Sequence, residues 1–554
     1  MSTIDLKKNL EGVMKGEVLD DAAALKSASR DTSLFMRMPE LVVCPEDATD
    51  VSAVVKEICR AREAGAAVSL AARSAGTDMT GGPLTTGVVV SFTKHMNHVL
   101  EVGDNFAITE PGVYYRDFEK ETLKKNLILP SYPASREIAA MGGIVANNSG
   151  GERTLEYGQT ERYVEELEVV LSDGSQATFK ALTATELDEK KRLQSLEGEI
   201  YRKMDTLLTQ NTALIEEHRP KVSKNSAGYA LWSVKDAKKN TFNLAKLICG
   251  SQGTLALWTK VKLALVKPKE HRAMLVVFLY ELNILPEIVK RVLLENPESF
   301  ESYDDHTFTL AVKFLPGMLS QMGFLKAARL GIDFIPEAAM VATGGVPKMI
   351  LMAEFAEDTI EEADRKALAA KQALAGLHVQ AKVEKNEKES EKYWIVRRES
   401  FALLRKNMHG LYAAPFIDDF VVPPTSYPEF LPKLHALLDE YKSHFIYTIA
   451  GHIGNGNFHI IPLMDLSKEE NRQVILELAP KVYELVISEG GTTTGEHNDG
   501  IIRTPYLPML FGAEMVALFA ETKEIFDSLN IFNPGKKVGG TFADIKSDMI
   551  KSIP

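Results

Sequence analysis

The chain has 554 residues and a formal charge of −12 at neutral pH, from 64 Lys and Arg against 76 Asp and Glu. That length exceeds what one hydrophobic core fills, so two or three domains are expected, with the apolar fraction (45%) of an ordinary soluble protein. The acidic balance argues against a nucleic-acid partner and against a polybasic membrane patch.

Cys44, Cys59 and Cys249 form neither a disulfide framework nor a CxxC pair, and they read as small buried side chains in a reducing compartment. With no CxxCxxC run there are no ligands for an iron–sulfur cluster. No apolar stretch approaches the roughly 18 residues that span a bilayer. Met1 to Lys8 lacks the apolar core of a signal peptide, so the expectation is a cytoplasmic protein, free or peripheral to a membrane.

Residues 1–40 read as polar and helical, and Leu41 to Cys44 as a short buried strand closed by Pro45. A helix opens at Asp47 to Val51, with Thr49 or Asp50 as N-cap, and runs to about Ala64, where Gly65 stops it. Ala67 to Leu70 is the next strand, and Gly87 to Ser91 the one after. Between them lies Ala71-Ala72-Arg73-Ser74-Ala75-Gly76-Thr77-Asp78-Met79-Thr80-Gly81-Gly82, small residues that let backbone N–H groups approach an anion. It is not the Gly-x-Gly-x-x-Gly dinucleotide fingerprint, and alone it reads equally well as a turn.

A second such stretch joins Ser131-Tyr132-Pro133-Ala134-Ser135 to Gly142 through Gly151, where all but Ile144 and Val145 are Gly, Ala, Ser or Asn. Backbone this bare is costly to order and usually faces a ligand or another backbone. Val164 to Leu171 is a strand ending at the turn Ser172-Asp173-Gly174. Farther on, His271 to Leu282, Met349 to Phe355 and Val379 to Val383 read as strands, alternating with helices at Leu285 to Glu295 and Ile360 to Leu377. That recurrence suits an α+β sheet layer. The segment Lys382 to Lys392 reads as solvated helix or loop.

Two apolar runs then flank Gly451-His452-Ile453-Gly454-Asn455-Gly456-Asn457-Phe458-His459. A two-residue turn at Asn455-Gly456 pairs Gly454 with Asn457, Ile453 with Phe458 and His452 with His459. The two imidazoles would then share a face with Cβ atoms roughly 4.5–5.5 Å apart. Glu496 and His497, in Gly495-Glu496-His497-Asn498-Asp499-Gly500, supply the rest of a divalent metal site with positions left open for substrate, Zn²⁺ or a first-row neighbour such as Mn²⁺. A lone histidine is more often a satisfied core residue. Three in two glycine-dense segments favour ligation.

Pro45-Glu46-Asp47, the Ser74–Gly82 loop, Glu110-Pro111-Gly112-Val113, Gly142 to Gly151, Tyr157-Gly158, Gly250-Ser251-Gln252-Gly253-Thr254-Leu255 and Phe532-Asn533-Pro534-Gly535-Lys536 occur in a known order. With the two histidine motifs, over roughly residues 40–540, the chain resembles the FAD-linked D-2-hydroxyacid dehydrogenases. These include D-lactate dehydrogenase, the glycolate oxidase flavoprotein subunit and D-2-hydroxyglutarate dehydrogenase, all vanillyl-alcohol-oxidase-type flavoproteins. The resemblance implies an α+β fold: a two-subdomain FAD-binding domain (1–267), an antiparallel-sheet cap with the metal hairpin (268–510) and a helical return (511–554).

It implies noncovalent FAD, held by Arg73, Ser74, Ala75, Gly76, Thr77, Asp78, Gly81 and Gly82, by Pro133, Ala134, Ser135, Gly142, Gly143, Asn147, Gly150 and Gly151, and by Tyr157, Gly253 and Asn533. His452, His459 and Glu496 are then the metal ligands, His497 the general base, and Arg397 of Trp394-Ile395-Val396-Arg397-Arg398 the carboxylate anchor, with Arg398 as its alternative. His497 as a fourth ligand stays open, and Asp499 is unassigned.

There are departures. Ser74-Ala75-Gly76-Thr77 stands for Gly-Gly-Gly-Thr, Asn498 for Gly, and Gln252 for Glu. Ile417 stands where the hydroxyglutarate enzymes carry a Lys for a second carboxylate, which favours a monocarboxylate such as D-lactate, with glycolate and D-2-hydroxyglutarate as alternatives. Electrons would pass to a non-nicotinamide acceptor such as a quinone, a cytochrome or an electron-transfer flavoprotein. A homodimer is left open. The competing classes are a flavin-dependent alkyl transferase and a non-catalytic flavoprotein subunit.

Overall fold

The computed structural model describes residues 3–305, 307, 345–384, 389–397 and 410–551, so Arg398 lies outside the described residues. Three sheets carry the architecture. The first is four-stranded, in the order Glu17–Leu19, Leu41–Cys44, Val88–Ser91, Leu70–Arg73, and its last three strands are parallel. Leu41, Val43, Val88, Val90 and Leu70 pack on Val51, Val54, Val55 and Ile58 of the helix Ala48–Glu63, while Val42, Cys44 and Val89 face Ala28. Both faces are covered, which is why these strands are uninterrupted apolar runs.

Four expectations shift here. The first 40 residues are not all helical, because Glu17–Leu19 adds a strand antiparallel to Leu41–Cys44 between the helices Thr3–Val13 and Ala22–Ala28. The N-cap is Asp47, whose carboxylate accepts from Thr49 N and Asp50 N. Asp50 instead accepts from Lys15 N and Gly16 N, each at 2.9 Å, and so pins the turn that launches the added strand. The strand expected at Ala67 to Leu70 occupies Leu70–Arg73. Cys59 is half-buried rather than buried.

The second sheet is antiparallel, in the order Val99–Val102, Phe106–Thr109, Leu257–Ala264, Val164–Val170, Gln176–Lys180. It shares a core with the helix Leu196–Gln210 and with Leu507, Phe511, Met515 and Phe519 of the helix Leu507–Phe526. The third has seven antiparallel strands: Gln380–Glu384, His271–Leu279, Met349–Glu357, Ser299–Asp304, Ile449–His452, Asn457–Ile460 and Phe420–Val421. Leu275, Val277, Leu351, Ala353 and Phe355 of its strands face helices Leu285–Leu293, Ile360–Ala373 and Tyr427–Glu440, and Met274, Val276, Ile350 and Met352 face Tyr393 and Trp394.

After the helix Leu507–Phe526 the chain returns to the first sheet. Leu70 N donates to Ile531 O (2.8 Å) and Asn533 N to Leu70 O (2.7 Å), so residues 531–533 cover the free edge of the strand Leu70–Arg73 at Leu70. No helix of the described residues is long and apolar enough to cross a membrane.

Candidate functional site

The glycine-dense hairpin forms, with a different register. Ile449–His452 and Asn457–Ile460 pair so that His452 opposes Asn457 and Ala450 opposes His459. The loop is a 3₁₀ turn, Ile453–Asn455, closed by Gly456 at φ 75°. Gly454 is wedged where a Cβ would come within 2.9 Å of both Leu155 and Phe300, so only glycine fits there. His452 and His459 thus become diagonal neighbours, which still share a face. Their rings lie 5.2 Å apart, and His459 stacks on His497 at the same centroid distance.

His452 and His459 are hydrogen-bonded through Nδ1 to a carboxylate, and His497 Nδ1 has one close by. Glu301 Oε1 lies 2.6 Å from His452 Nδ1, Asp418 Oδ1 lies 3.2 Å from His459 Nδ1, and Asp418 Oδ2 lies 2.8 Å from His497 Nδ1. Nε2 of His452 is thereby directed at Glu496 Oε1, 3.3 Å away. One donor atom each from His452, His459 and Glu496 falls within 4.8 Å of the others, the spread of ligands around a single ion. Carboxylates behind ligating imidazoles are the usual second layer of such a site.

Asp419 builds the loop that presents Glu496. Its Oδ2 accepts from Glu496 N (2.9 Å), His497 N (2.7 Å) and Thr494 Oγ1 (2.6 Å), and its own backbone is left-handed at φ 68°. The loop sends consecutive side chains apart, Glu496 to His452 and His497 to Asp418. Asn498 has φ 71°, as its replacement of Gly requires, and donates to Gly250 O at 2.9 Å. Asp499 faces away, accepting from Gly228 N and from Lys537 Nζ, each at 2.9 Å.

Burial works against every charge in this cluster, and the neighbours overcome it. Lys224 and His452 hold the Glu496 carboxyl well below its ordinary range, and His452 and Arg397 lower that of Glu301. His497 and His459 lower Asp418 and Asp419. In return Asp419 and Asp418 push His497 up to about 9. A general base must start unprotonated, whereas without a further cation in the cluster His497 holds its proton at neutral pH.

The histidines open onto a cavity of about 860 Å³. Its far wall is the small-residue backbone: Arg73, Ser74, Ala75, Gly76, Thr77, Asp78 and Gly82, then Pro133, Ala134 and Ser135, then Gly142, Gly143, Asn147, Gly150 and Gly253. Gly81, Gly151, Tyr157 and Asn533 are not on that wall. Gly81 packs under Phe35 and Ile501, Gly151 lies against Tyr132 O, Tyr157 accepts from Tyr163 OH through its carbonyl, and Asn533 Nδ2 ties Gly82 O to Gln252 O. Only Gly76 and Gly81 of the first loop are left-handed, so Ser74 and Ala75 fit without strain.

Met141–Ala146 is a short helix on which Gly142 abuts Ser74 and Pro111. Arg397 also lines the cavity, with Nη2 3.2 Å from Glu301 Oε2. Ile417 does not line it. It is fully buried in the core of the seven-stranded sheet, and so carries no information about substrate charge.

Lys224, Glu301, Asp418 and Asp419 were not singled out from sequence. Adjacent aspartates inside the apolar run Phe416 to Val422 were a readable anomaly. Glu301 and Lys224 were not, since their partners lie 151 and 272 residues away.

A profile described as the C-terminal domain of FAD linked oxidases matches residues 268–537, and one described as an FAD binding domain matches 39–180. D-2-hydroxyglutarate dehydrogenase of Pseudomonas putida is 26% identical over 533 residues, 94% of this chain and 50% of that protein, so the chain spans about half the length of such relatives. D-lactate dehydrogenase of Archaeoglobus fulgidus is 28% identical, covering 90% of this chain and 91% of its own. Glycolate oxidase subunit GlcD of Bacillus subtilis is 27% identical over 97% of both. Among solved structures, 4-ethylphenol oxidase from Gulosibacter chungangensis (15% identical, TM-score 0.67, 98% of each chain) and p-cresol methylhydroxylase (13%, 0.67, 97% of each) share the fold. The small-residue wall thus falls within the matched FAD binding domain and the histidine-bearing antiparallel sheet within the matched C-terminal domain of FAD linked oxidases, and the chain, which carries both domains, shares its fold with these two solved structures.

Proposed function

We propose that the chain oxidises a small D-2-hydroxy acid, D-lactate by preference, to the 2-oxo acid and passes the electrons to a non-nicotinamide acceptor. The observation that carries this reading is the carboxylate-flanked trio His452, His459 and His497 facing a backbone-lined cavity. The relatives named for D-lactate, glycolate and D-2-hydroxyglutarate agree on the substrate class and differ on its member.

The fit to FAD rests on the bare wall. A Cβ on Gly142 would come 2.6 Å from Ser74 Oγ and 2.8 Å from Pro111 O, so that position excludes a side chain and brings the second small-residue stretch against the first. Ser74 to Gly82, Pro133 to Ser135 and Gly142 to Gly150 would hold the cofactor; when bound, FAD supplies the hydride acceptor. The fit to a divalent ion rests on charge as well as distance. In the ion-free cluster the buried carboxylates of Glu301, Asp418, Asp419 and Glu496 are balanced by Lys224, Arg397, Arg503 and the His497 imidazolium, and they outnumber the cations by one once His497 gives up its proton. A dication on His452, His459 and Glu496 would supply Lewis acidity, and would leave the cluster neutral once one substrate carboxylate enters.

The chain's own groups then divide the work. Arg397 anchors the substrate carboxylate through its planar guanidinium. His497 is the acceptor for the substrate's hydroxyl proton at Nε2, and a cation held by His452, His459 and Glu496 would supply the charge that offsets Asp418 and Asp419 and frees that nitrogen. Asp418 keeps that ring turned the right way, and Asp419 fixes the backbone beneath it. Arg397 is the one cationic side chain lining the sheet side of the cavity among the described residues, where Ala413, Thr448, Ala450 and Ile461 are uncharged. That favours a monocarboxylate.

The test is anaerobic flavin reduction against D- and L-lactate, glycolate and D-2-hydroxyglutarate, with and without chelator. Bleaching fastest with D-lactate, and slowed by chelator, is expected. Bleaching by none of these acids would overturn the reading.

A further inference from the structure

Lys224 takes no part in the chemistry above, yet its ammonium is fully buried against Glu496 Oε1, the oxygen that faces His452 Nε2. Two uncharged acceptors stand behind it: Gly151 O at 3.4 Å and Asn457 Oδ1 at 3.5 Å. Asn457 is not free to turn, because its Nδ2 donates to Asp419 Oδ1 (3.0 Å) and Phe420 O (3.2 Å), which keeps Oδ1 toward the lysine.

We propose that Lys224 is a resident competitor for Glu496 that sets how tightly the site takes a divalent ion. This rests on the reading that His452, His459 and Glu496 are the ligands. In the ion-free protein the ammonium neutralises a carboxylate that would otherwise be buried and unpaired. When a dication arrives, the same carboxylate is shared with it, and the ammonium leans on Asn457 and Gly151, acceptors already aimed at it. Two positive centres on one carboxylate repel each other in a water-poor pocket, so the lysine weakens metal binding while it keeps the empty site folded. Gly151 and Asn457 belong to the cavity loop and the hairpin, so one ammonium touches all three pieces of the site.

The test is titration of chelator-stripped, FAD-loaded protein with Zn²⁺ or Mn²⁺ against a chromophoric competitor. Lys224→Met is expected to tighten binding by at least about tenfold, since a like charge beside the ion is gone. Lys224→Arg keeps the charge and is expected to stay within about threefold of the parent. Should the methionine variant fail to load FAD, Lys224→Gln keeps a donor for Gly151 and Asn457 without the charge, and the same tightening is expected. Unchanged or weaker binding in the uncharged variants, with the parent binding metal and His452→Ala losing it, overturns the role of Lys224 alone. A parent that binds no metal overturns the ligand assignment and the competitor together.

Discussion

On one side the cavity is walled by Ser74, Ala75, Gly76, Gly142, Gly143 and Gly150, and on the other by Arg397, His452, His459, Glu496 and His497. The first wall works by what it lacks: backbone reaches the cavity because almost no side chain intervenes. The second works by side chains that are useful only when oriented, and each imidazole has a carboxylate for that purpose. An addition should therefore disable the first wall and a deletion the second.

The largest expected effect is on the second wall. His497→Ala should slow anaerobic flavin reduction by about 10²- to 10⁴-fold, the usual worth of a positioned base, while FAD stays bound. Stopped-flow at 450 nm, a wavelength characteristic of flavins in general, measures it, and an undiminished rate would remove His497 from that role. On the first wall, Gly142→Ala forces a methyl against Ser74 and Pro111, a misfit of roughly 1–3 kcal/mol. Its expected signature is FAD lost on gel filtration with the histidine cluster intact, and full retention would refute the close-approach argument.

Glu301→Gln tests orientation without touching a ligand. Metal affinity should fall by about 10- to 100-fold, the typical result of disturbing a carboxylate behind a ligating imidazole. Chelator competition reads this, and parent-like affinity would make Glu301 mere packing.

The smallest effect expected is a pH dependence outside both walls. Burial, opposed by Arg272 and assisted by the Glu298 and Glu152 charges, pushes the Glu354 carboxyl up to about 7. A carboxyl raised on folding contributes its full stability below its unfolded pKa, near 4.5, and loses it as pH climbs toward 7. Glu354→Gln should remove this loss, so its melting temperature relative to the parent should rise between those values. A pH-independent difference would show the carboxyl to be ionised throughout.

How legible this was follows the same division. The small-residue wall is written locally, since consecutive Gly, Ser and Ala need no partner to be noticed. The histidines were legible as types and segments, but their pairing was not. Asn455-Gly456 satisfies a two-residue turn as well as the longer loop that forms, and the decision falls to distant residues: Leu155 and Phe300 against Gly454, and Val422 O above Gly456. Ile417 misled for a related reason. It stands one residue before Asp418 in a strand-like run, and only the packing around it shows that it points into the core. Glu301 sits in Ser299–Asp304, a strand buried at every position, where nothing local separates a structural carboxylate from a functional one.

The edge of Leu70–Arg73 is sealed by Ile531 to Asn533, made some 460 residues later. During synthesis the backbone groups of Leu70 on that edge must wait unpaired until residues 531–533 have left the ribosome. The nascent lobe is therefore open to wrong partners at that edge over some 460 residues of synthesis, and the sheet behind the small-residue wall is completed only when residues 531–533 arrive.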